Sequence, residues 1–519
     1  MKKLFVLLMI LFLASNVFAQ EQCAEKVSYP GPLAQWATAL IEDSSSSVSS
    51  GPAGSSDTFT DSDYGVSSSD WADDSDCDAS VQNPVGEYWT AGPTVHSRKV
   101  VEDLENNRIM LINREINDIP VVIINNVDNR PNPFTSFKIL PLSGSASSND
   151  AEKDENGNII INGETDGDDV FLVSVKVNED KSVVINWAKI YNYLVPESLS
   201  AGGLEIVGGY AVMLTDSTSG KVSALSVDLS DGSFVGARTW GYTDPVVGGL
   251  IANLAVAGDD AASLNANFDS DVLGTYLPQF FRIAININTG EISETYAVTF
   301  NIAATGVEVI QAGSRAPAPA NGDNVAVVNI NDPLGWGVYA VDNTGNKAYA
   351  GVTGLGLSKG FTAAGPAGGN YLAVASQSPS DEYQVAMLDT TNGEFLWSDS
   401  FYRQIITNDV YYDGTNIFLA GYAQDLQRPF AAVYNAVSGQ NVEKAEVIWS
   451  EASGNPKMGT RIIGFNWGNV LYYMLASEGS FGIQIYGLGG AEVPEFSLST
   501  LLLALLLAGG LLFVIRRRR

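Results

Sequence analysis

Side chains that commonly carry chemistry are scarce in this chain. His96 is its single histidine, and Cys23 and Cys77 are its two cysteines. A Ser-His-Asp triad needs a histidine as its base, and zinc and iron sites usually recruit two or more imidazoles. We therefore assign His96 to the surface or to a turn. The sequence predicts no catalytic residue and no cofactor-binding or metal-binding set.

One short segment has the spacing of a calcium loop. Glu152, Asp154, Asn156 and Gly157 match its first, third, fifth and sixth positions. Gly163 stands where the bidentate glutamate of the twelfth position is expected. We therefore favour a hairpin turn here, with calcium kept as the one candidate ion.

Other catalytic signatures are missing from the sequence. It contains no phosphate-binding glycine loop and no Cys-x-x-Cys pair. Tyr411-Tyr412 and Tyr472-Tyr473 are candidates for a sugar-binding face, but tyrosine is also common in strands, and we favour that interpretation. The net charge of −31 argues against nucleic acid as a partner, because phosphates would be repelled.

The beginning of the chain predicts export. Two lysines precede an apolar run from Leu4 to Ala14, and small residues occupy the positions that a signal peptidase inspects before a cleavage site between Ala19 and Gln20. An exported chain with two cysteines commonly oxidises them, so we predict a Cys23–Cys77 disulfide.

The end of the chain predicts a membrane anchor. Residues 497–515 are apolar and long enough, as a helix, to cross roughly 30 Å of hydrocarbon. The positive-inside rule places the basic cluster that follows in the cytoplasm and the rest of the chain outside. This cluster consists of Arg516, Arg517, Arg518 and Arg519.

A short motif precedes this helix and completes a three-part tail. The motif is Val493, Pro494, Glu495 and Phe496. Motif, apolar helix and terminal arginines together resemble the PEF-CTERM class of archaeal sorting signals. The resemblance implies an archaeal source, cleavage near the motif by an archaeosortase-like transpeptidase, and transfer to an envelope acceptor. A permanent membrane anchor is the alternative.

The middle of the chain repeats at intervals of about 50 residues. Gly157 to Gly163 and Thr415 to Gly421 share an asparagine, an apolar run and a closing glycine. The same asparagine followed by a strand appears at Asn107, Asn324, Asn370 and Asn469. Two further strand starts, with less of the pattern, lie near Gly209 and Asn253.

A second marker follows in most repeats. Asp or Asn, three residues and then Gly recur at Asp228, Asn286, Asp389 and Asn435, with a shorter version at Asp342. Asp and Asn cap turns and Gly accepts positive φ, so this marker predicts a hairpin. The strand after it often carries a tryptophan. The tryptophans concerned are Trp187, Trp240, Trp397 and Trp449.

Units of this size and strand content predict the blades of a β-propeller, which buries sheet faces and protects edges by radial repetition. The segment from Ala386 to Trp397, with its Asp-x3-Gly-x3-Trp centre, resembles the tryptophan-bearing repeat of quinoprotein-like (PQQ-like) propellers. That resemblance supports the fold; Met387 and Asn392 depart from the fuller motif of the family.

We predict an all-β chain with an eight-bladed propeller, or seven blades if residues 250–314 are miscounted. Only two strands are evident after Arg461, so a strand around Trp89 is expected to complete the last blade. The predicted divisions are a signal peptide (1–19), a loose Ser/Asp-rich low-complexity arm (20–83), the propeller (84–489) and the sorting tail (490–519).

These features predict a cell-surface protein in type I orientation, anchored in the membrane through its C-terminus. Its leading function is a non-enzymatic binding, adhesion or envelope-structural module whose surface ligand is a protein or a glycan. The alternative is an extracellular propeller enzyme, either a carboxylate-based hydrolase or lyase or a quinone-dependent dehydrogenase.

Overall fold

The computed structural model describes residues 96–488, apart from some of the loops between strands, and five short segments before them. Those segments are Cys23–Ala24 (β1), Ile41–Glu42 (β2), Ser47–Ser50 (β3), Trp71–Asp74 (β4) and Ala79–Gln82 (β5). Within these described residues the only helical element is a 3-10 turn, Leu104–Asn106.

The strands from His96 onward form antiparallel sheets in chain order. Sheet 1 contains His96–Asp103 (β6), Arg108–Arg114 (β7), Ile119–Asn125 (β8) and Phe134–Pro141 (β9). Sheet 2 contains Ala146–Lys153 (β10), Asn158–Thr165 (β11), Val170–Val177 (β12) and Val183–Tyr193 (β13). Sheet 3 contains Leu199–Val207 (β14), Tyr210–Ser217 (β15), Lys221–Asp228 (β16) and Phe234–Gly241 (β17). Sheet 4 contains Leu250–Ala257 (β18), Asp260–Val272 (β19), Thr275–Ile285 (β20) and Ile292–Asn301 (β21).

The second half of the chain continues in the same way. Sheet 5 contains Val307–Glu308 (β22), Asn324–Ile330 (β23), Gly335–Val341 (β24) and Lys347–Val352 (β25). Sheet 6 contains Lys359–Ala364 (β26), Tyr371–Gln377 (β27), Glu382–Asp389 (β28) and Glu394–Tyr402 (β29). Sheet 7 contains Ile405–Tyr412 (β30), Asn416–Ala423 (β31), Arg428–Asn435 (β32) and Asn441–Glu443 (β33); Glu446–Val447 (β34) packs beside it. Sheet 8 contains Met458–Trp467 (β35), Val470–Glu478 (β36) and Gly482–Leu488 (β37).

The first strands of successive sheets pack against one another from sheet 6, through sheets 7, 8, 1, 2 and 3, to sheet 4. Sheet 8 therefore contacts sheet 1 although the two are far apart in the chain. The Nε of Arg461 donates to the carbonyl of Arg98 at 2.7 Å across this contact. Meander sheets with their first strands at the centre define a β-propeller.

The spaces between sheets are filled by apolar side chains from both neighbours. Ile159 of β11 belongs to the cluster shared with sheet 1, and Ile160 belongs to the cluster shared with sheet 3. Alternate residues of a strand point to opposite faces, and here both faces are buried. This is why the central strands are continuous apolar runs rather than alternating ones.

The repeat predicted from the sequence matches the second strand of each sheet, with one exception. Strands β7, β11, β15, β23, β27, β31 and β36 begin at, or one residue after, the predicted starts. Asn253 was placed wrongly, because it lies inside β18 and the second strand of sheet 4 begins at Asp260. Asn253 resembles the other starts because it too precedes an apolar run.

The predicted hairpin turns join the third and fourth strands. Gly232 donates its N–H to the carbonyl of Asp228 at 2.9 Å, and Gly439 donates to Asn435 at 2.9 Å. The φ angles of Gly232 and Gly439 are +75° and +66°, in the region that favours glycine. Trp187, Trp240 and Trp397 all lie in fourth strands, as predicted, whereas Trp449 lies outside the described residues.

The last sheet differs from the sequence-based expectation. It has three strands rather than two, because β35 precedes the two expected ones. Two residues separate the end of β35 at Trp467 from the start of β36 at Val470. The segment around Trp89, predicted to complete this sheet, lies outside the described residues.

The described segments of the Ser/Asp-rich arm are strands. β5 pairs with β9 of sheet 1, and β4 pairs with β13 of sheet 2. β3 pairs with β21 of sheet 4, and β2 pairs with β25 of sheet 5. β1 pairs with β34, beside sheet 7.

Candidate functional site

The first strand of seven sheets contains a break in its register, among the strands that the structure describes. An extra residue or two on the first strand faces its partner at these points, which is the arrangement of a β-bulge. A bulge leaves main-chain groups without a partner in the ladder and redirects the side chains next to it. The breaks lie between Ser97 and Lys99, Ser148 and Asp150, Ala201 and Leu204, Ile251 and Asn253, Lys359 and Phe361, Thr407 and Asp409, and Gly459 and Arg461.

Two aspartates next to bulges accept main-chain hydrogen bonds from the following sheet. The N–H of Leu204 in sheet 3 donates to the Oδ2 of Asp150 in sheet 2 at 3.1 Å. The N–H of Ile462 in sheet 8 donates to the Oδ2 of Asp409 in sheet 7 at 2.9 Å. The same contact thus joins two different pairs of sheets.

The carbonyl groups of bulge residues also accept hydrogen bonds from side chains of neighbouring sheets. The side-chain amides of Asn149 and Asn162 in sheet 2 donate to the carbonyl of Gly202 in sheet 3, at 2.9 and 2.8 Å. Arg461 of sheet 8 donates both to Arg98 of sheet 1 and, at 3.5 Å, to the carbonyl of Asn408 in sheet 7. The guanidinium therefore links three neighbouring sheets.

Sheets 1 to 3 add a cluster of charged groups to these links. The Nζ of Lys99 in β6 lies 2.6 Å from the Oε1 of Glu152 and 3.0 Å from the Oδ1 of Asp150. Glu205 of β14 interacts electrostatically with all three. We refer to six residues on the first strands of sheets 7, 8, 1, 2 and 3 as the polar arc. These are Asp409, Arg461, Lys99, Asp150, Glu152 and Glu205.

The cluster shifts the proton affinities of two of its members. Burial disfavours the ammonium of Lys99, but the carboxylates of Asp150 and Glu152 outweigh this and raise the pKa of Lys99 above its ordinary value. Burial raises the pKa of Glu205 well above its ordinary range, and the charges of Glu152 and Asp150 add to the effect. Glu205 is thus the carboxyl group in the arc best placed to hold a proton.

Farther from the centre, aromatic side chains join the sheets. The Nε1 of Trp187 in sheet 2 donates to the carbonyl of Leu229 in sheet 3 at 2.8 Å, and a Cβ on Gly232 would lie 2.6 Å from its ring. Trp397 of sheet 6 makes the same contacts with the turn of sheet 7 that ends at Gly439. We call these contacts the aromatic joints. They explain why the turn glycine and the tryptophan recur together in the sequence.

The calcium-like segment is a hairpin turn, as the sequence favoured. The N–H groups of Asn156 and Asn158 donate to the Oδ1 of Asp154 at 2.9 and 2.7 Å, and Gly157 has a φ of +74°. Glu152, at the first position of the calcium-like spacing, pairs with Lys99. No group of three or more His, Cys, Asp or Glu side chains is placed to hold a metal ion in the part of the chain that the structure describes.

Of the cleavage-site, disulfide and tail residues predicted from the sequence, the structure describes only Cys23. His96 begins β6, opposite Arg114. Cys23 lies in β1 beside sheet 7, and Cys77 falls between β4 and β5, outside the described residues, so the disulfide stays a prediction. Ala19, Gln20, the motif Val493 to Phe496 and the cluster Arg516 to Arg519 also lie outside them. No described helix has the length and apolar character needed to span a membrane; residues 497–515 lie outside the described residues.

Sequence reasoning missed the polar arc. One signal was present, because Asp150 and Asp409 each follow an asparagine, Asn149 and Asn408, at the bulge of a first strand. The first strands gave no clear apolar alternation, so these two dipeptides were not recognised as equivalent positions.

No protein-family model matches the sequence, and no curated protein matches it. Among solved structures, Saccharomyces cerevisiae Sqt1 is similar over 79% of this chain and 100% of its own, with 11% identity and a TM-score of 0.47. The Dos1 propeller covers 79% of this chain and 94% of its own, with 11% identity and a TM-score of 0.45. BamB from Moraxella catarrhalis covers 66% and 88%, with 13% identity and a TM-score of 0.36. These similarities carry no information on ligand or activity, and the propeller is defined by the strand order of the chain itself.

Proposed function

We propose that this protein is a cell-surface-anchored β-propeller of eight blades, formed by sheets 1 to 8, that acts as a non-enzymatic binding, adhesion or envelope-structural module. Its surface ligand is a protein or a glycan. The repeat relates it to the quinoprotein-like propellers in fold.

This proposal rests on the observation that the charged side chains of the polar arc are bonded to neighbouring sheets. Asp150 and Asp409 accept main-chain hydrogen bonds from the next sheet, and Arg461 donates to the main chain of two sheets. Lys99 is held between two carboxylates. Charged groups that are bonded to neighbouring sheets make the ring rigid and so keep its outer surface in a fixed shape. This arrangement suits a binding scaffold better than a catalyst.

Attachment to the surface rests on the two chain ends. The export signal and the three-part tail support a type I orientation, followed by cleavage near Pro494, Glu495 and Phe496 by an archaeosortase-like transpeptidase. Mass spectrometry of the C-terminal peptide from purified envelopes tests this. We expect loss of all residues after the motif and an added mass from the acceptor. An intact end at Arg519 would instead establish a permanent anchor.

Binding is tested with the purified full-length protein and isolated envelopes depleted of it. We expect saturable retention that is unchanged by Glu205→Gln, because the ligand is bound on the outside of the ring. Retention that never saturates, or that matches an unrelated acidic protein of similar charge, would reject a specific binding module.

One observation favours the enzymatic alternative, namely the raised pKa of Glu205 beside Glu152. A protonated carboxyl group near a carboxylate is the arrangement used by carboxylate-based hydrolases. Incubation of the protein with envelope polysaccharides decides between the two. If the native protein releases reducing ends and Glu205→Gln does not, the protein is a hydrolase and the proposal of a non-enzymatic binding module is rejected.

A further inference from the structure

The arm strands follow the ring in the direction opposite to the rest of the chain. From the N-terminus, β1 lies beside sheet 7, β2 on sheet 5, β3 on sheet 4, β4 on sheet 2 and β5 on sheet 1. The chain then enters sheet 1 and proceeds to sheet 8. Each of β2 to β5 pairs with the last strand of its sheet, which is the strand farthest from the centre.

The lengths of the connections fit this path. Residues 43–46 connect β2 to β3 on neighbouring sheets, and residues 75–78 connect β4 to β5 on neighbouring sheets. Residues 51–70 and 25–40 are much longer and connect strands on sheets that have one sheet between them. A four-residue connection reaches about 17 Å at most, so short ones serve adjacent sheets and longer ones are needed to pass a sheet.

The covered edges would otherwise be open to other strands. The last strand of a propeller sheet has unpaired N–H and C=O groups, which can pair with a strand from another chain. Ser- and Asp-rich segments too polar to form a core can still supply main-chain hydrogen bonds along an edge.

We propose that β2 to β5 form an intramolecular strap that covers the outer edges of sheets 5, 4, 2 and 1 and prevents a second copy of this chain from adding a strand there. The strap makes the low-complexity arm part of the propeller. It is independent of the ligand and of the sorting tail.

Cysteine pairs placed across the strap test its position. Both test proteins are full-length and carry Cys23→Ser and Cys77→Ser. The first combines Ser49→Cys with Thr299→Cys, which are opposite each other in β3 and β21. The second combines Ala72→Cys with Asn192→Cys, which are opposite each other in β4 and β13. Opposite residues of antiparallel strands lie within the Cα range of disulfides. The control combines Ser49→Cys with Ser398→Cys, on the last strand of sheet 6, which has no arm strand among the described residues.

We expect both test pairs to form disulfides within one chain and the control pair to form none. Reduced thiols in the test pairs after oxidation would show that the arm lies elsewhere. Disulfides formed only between two chains would show that the arm of a second copy occupies these edges, which would also overturn the proposal.

A second variant tests the shielding. Val48→Pro with Ser49→Pro removes donors on both sides of β3 and leaves the propeller sheets unchanged. We expect hydrogen exchange in β21 to accelerate at least about tenfold, while exchange in β17 of sheet 3, the internal reference, stays unchanged. We also expect the variant to self-associate in a concentration-dependent way. Unchanged exchange in β21, or faster exchange in a protein that remains monomeric, would contradict shielding by the strap.

Discussion

Sheets 2 and 3 are joined at two places by different kinds of contact. Near the centre, Asp150 accepts the N–H of Leu204, with Lys99 beside it. Farther out, Trp187 packs on the turn at Gly232 and donates to Leu229. The first strands converge at the centre, where bulges leave main-chain groups that need polar partners, whereas the sheets diverge outward and need large side chains to fill the gap. We therefore expect the polar arc to respond to pH and the aromatic joints not to.

We expect the largest loss of folding stability when a single methyl group is added at an aromatic joint. Gly232→Ala places a Cβ 2.6 Å from the ring of Trp187 at a φ of +75°. Gly157→Ala is the matched control, because its φ is +74° but its Cβ would have no atom within 4 Å. The φ alone costs about 1–2 kcal/mol, and overpacking adds about 1–3 kcal/mol. Unfolding in urea at pH 5 and pH 8 should show a larger loss for Gly232→Ala at both values. Equal losses for the two variants would mean that the joint does not constrain its sheets.

Removal of the central cation should give the next largest effect and should depend on pH. Lys99→Met leaves Asp150 and Glu152 without their shared partner, and we expect a loss of about 2–3 kcal/mol at pH 7. The loss should shrink in base, as the pH rises above the ordinary lysine value and through the raised pKa of Lys99, because the native protein then loses the same ammonium. A loss that stays the same from pH 7 into that range would remove the distinction between the polar arc and the aromatic joints.

The raised pKa of Lys99 also sets the behaviour of the native protein in base. The ammonium stabilises the folded state fully below the ordinary lysine value, and this contribution is lost as the pH rises through the raised pKa. In Lys99→Met this part of the alkaline loss should be absent. The comparison of the two unfolding midpoints above pH 10 measures it.

The link between sheets 7 and 8 should depend on an oxygen acceptor rather than on charge. Asp409 is fully buried, and Asp409→Ala removes the acceptor of the Ile462 N–H, which should cost about 1–3 kcal/mol. Asp409→Asn keeps an oxygen at this position and should recover part of the loss. Hydrogen exchange at Ile462 reads the bond directly. If the two variants lose the same stability, the negative charge matters more than the hydrogen bond.

The smallest expected effect has the opposite sign. Because the folded-state pKa of Glu205 lies above its ordinary value of 4.5, ionisation of this carboxyl group destabilises the folded state as the pH rises from that value through the raised pKa. Glu205→Gln should therefore be slightly more stable than the native protein at pH 8 and equal to it at pH 4. Urea midpoints at both values check this, and a variant that is less stable at pH 8 would contradict the assignment of Glu205 as the protonated carboxyl.

The second and fourth strands of the sheets were predictable because each leaves a local mark. The asparagines that begin β11 and β31 and the turn glycines Gly232 and Gly439 have a conformational role that only a few residue types can fill. The first strands left no such mark, because a bulge interrupts the period of two that identifies a strand. For this reason β35 was missed and Asn253, in β18, was taken for a second-strand start.

The sequence by itself determined the all-β character and the repeating turns, because strand propensity, glycine at positive φ and Asx capping act within a few residues. Only the tertiary structure decided which charged groups meet and where the arm lies. Lys99, Asp150 and Glu205 come from three different sheets, so their electrostatic interaction depends on the order of sheets around the ring. The arm pairs through main-chain hydrogen bonds, which every sequence can make, so side chains alone do not reveal its partners.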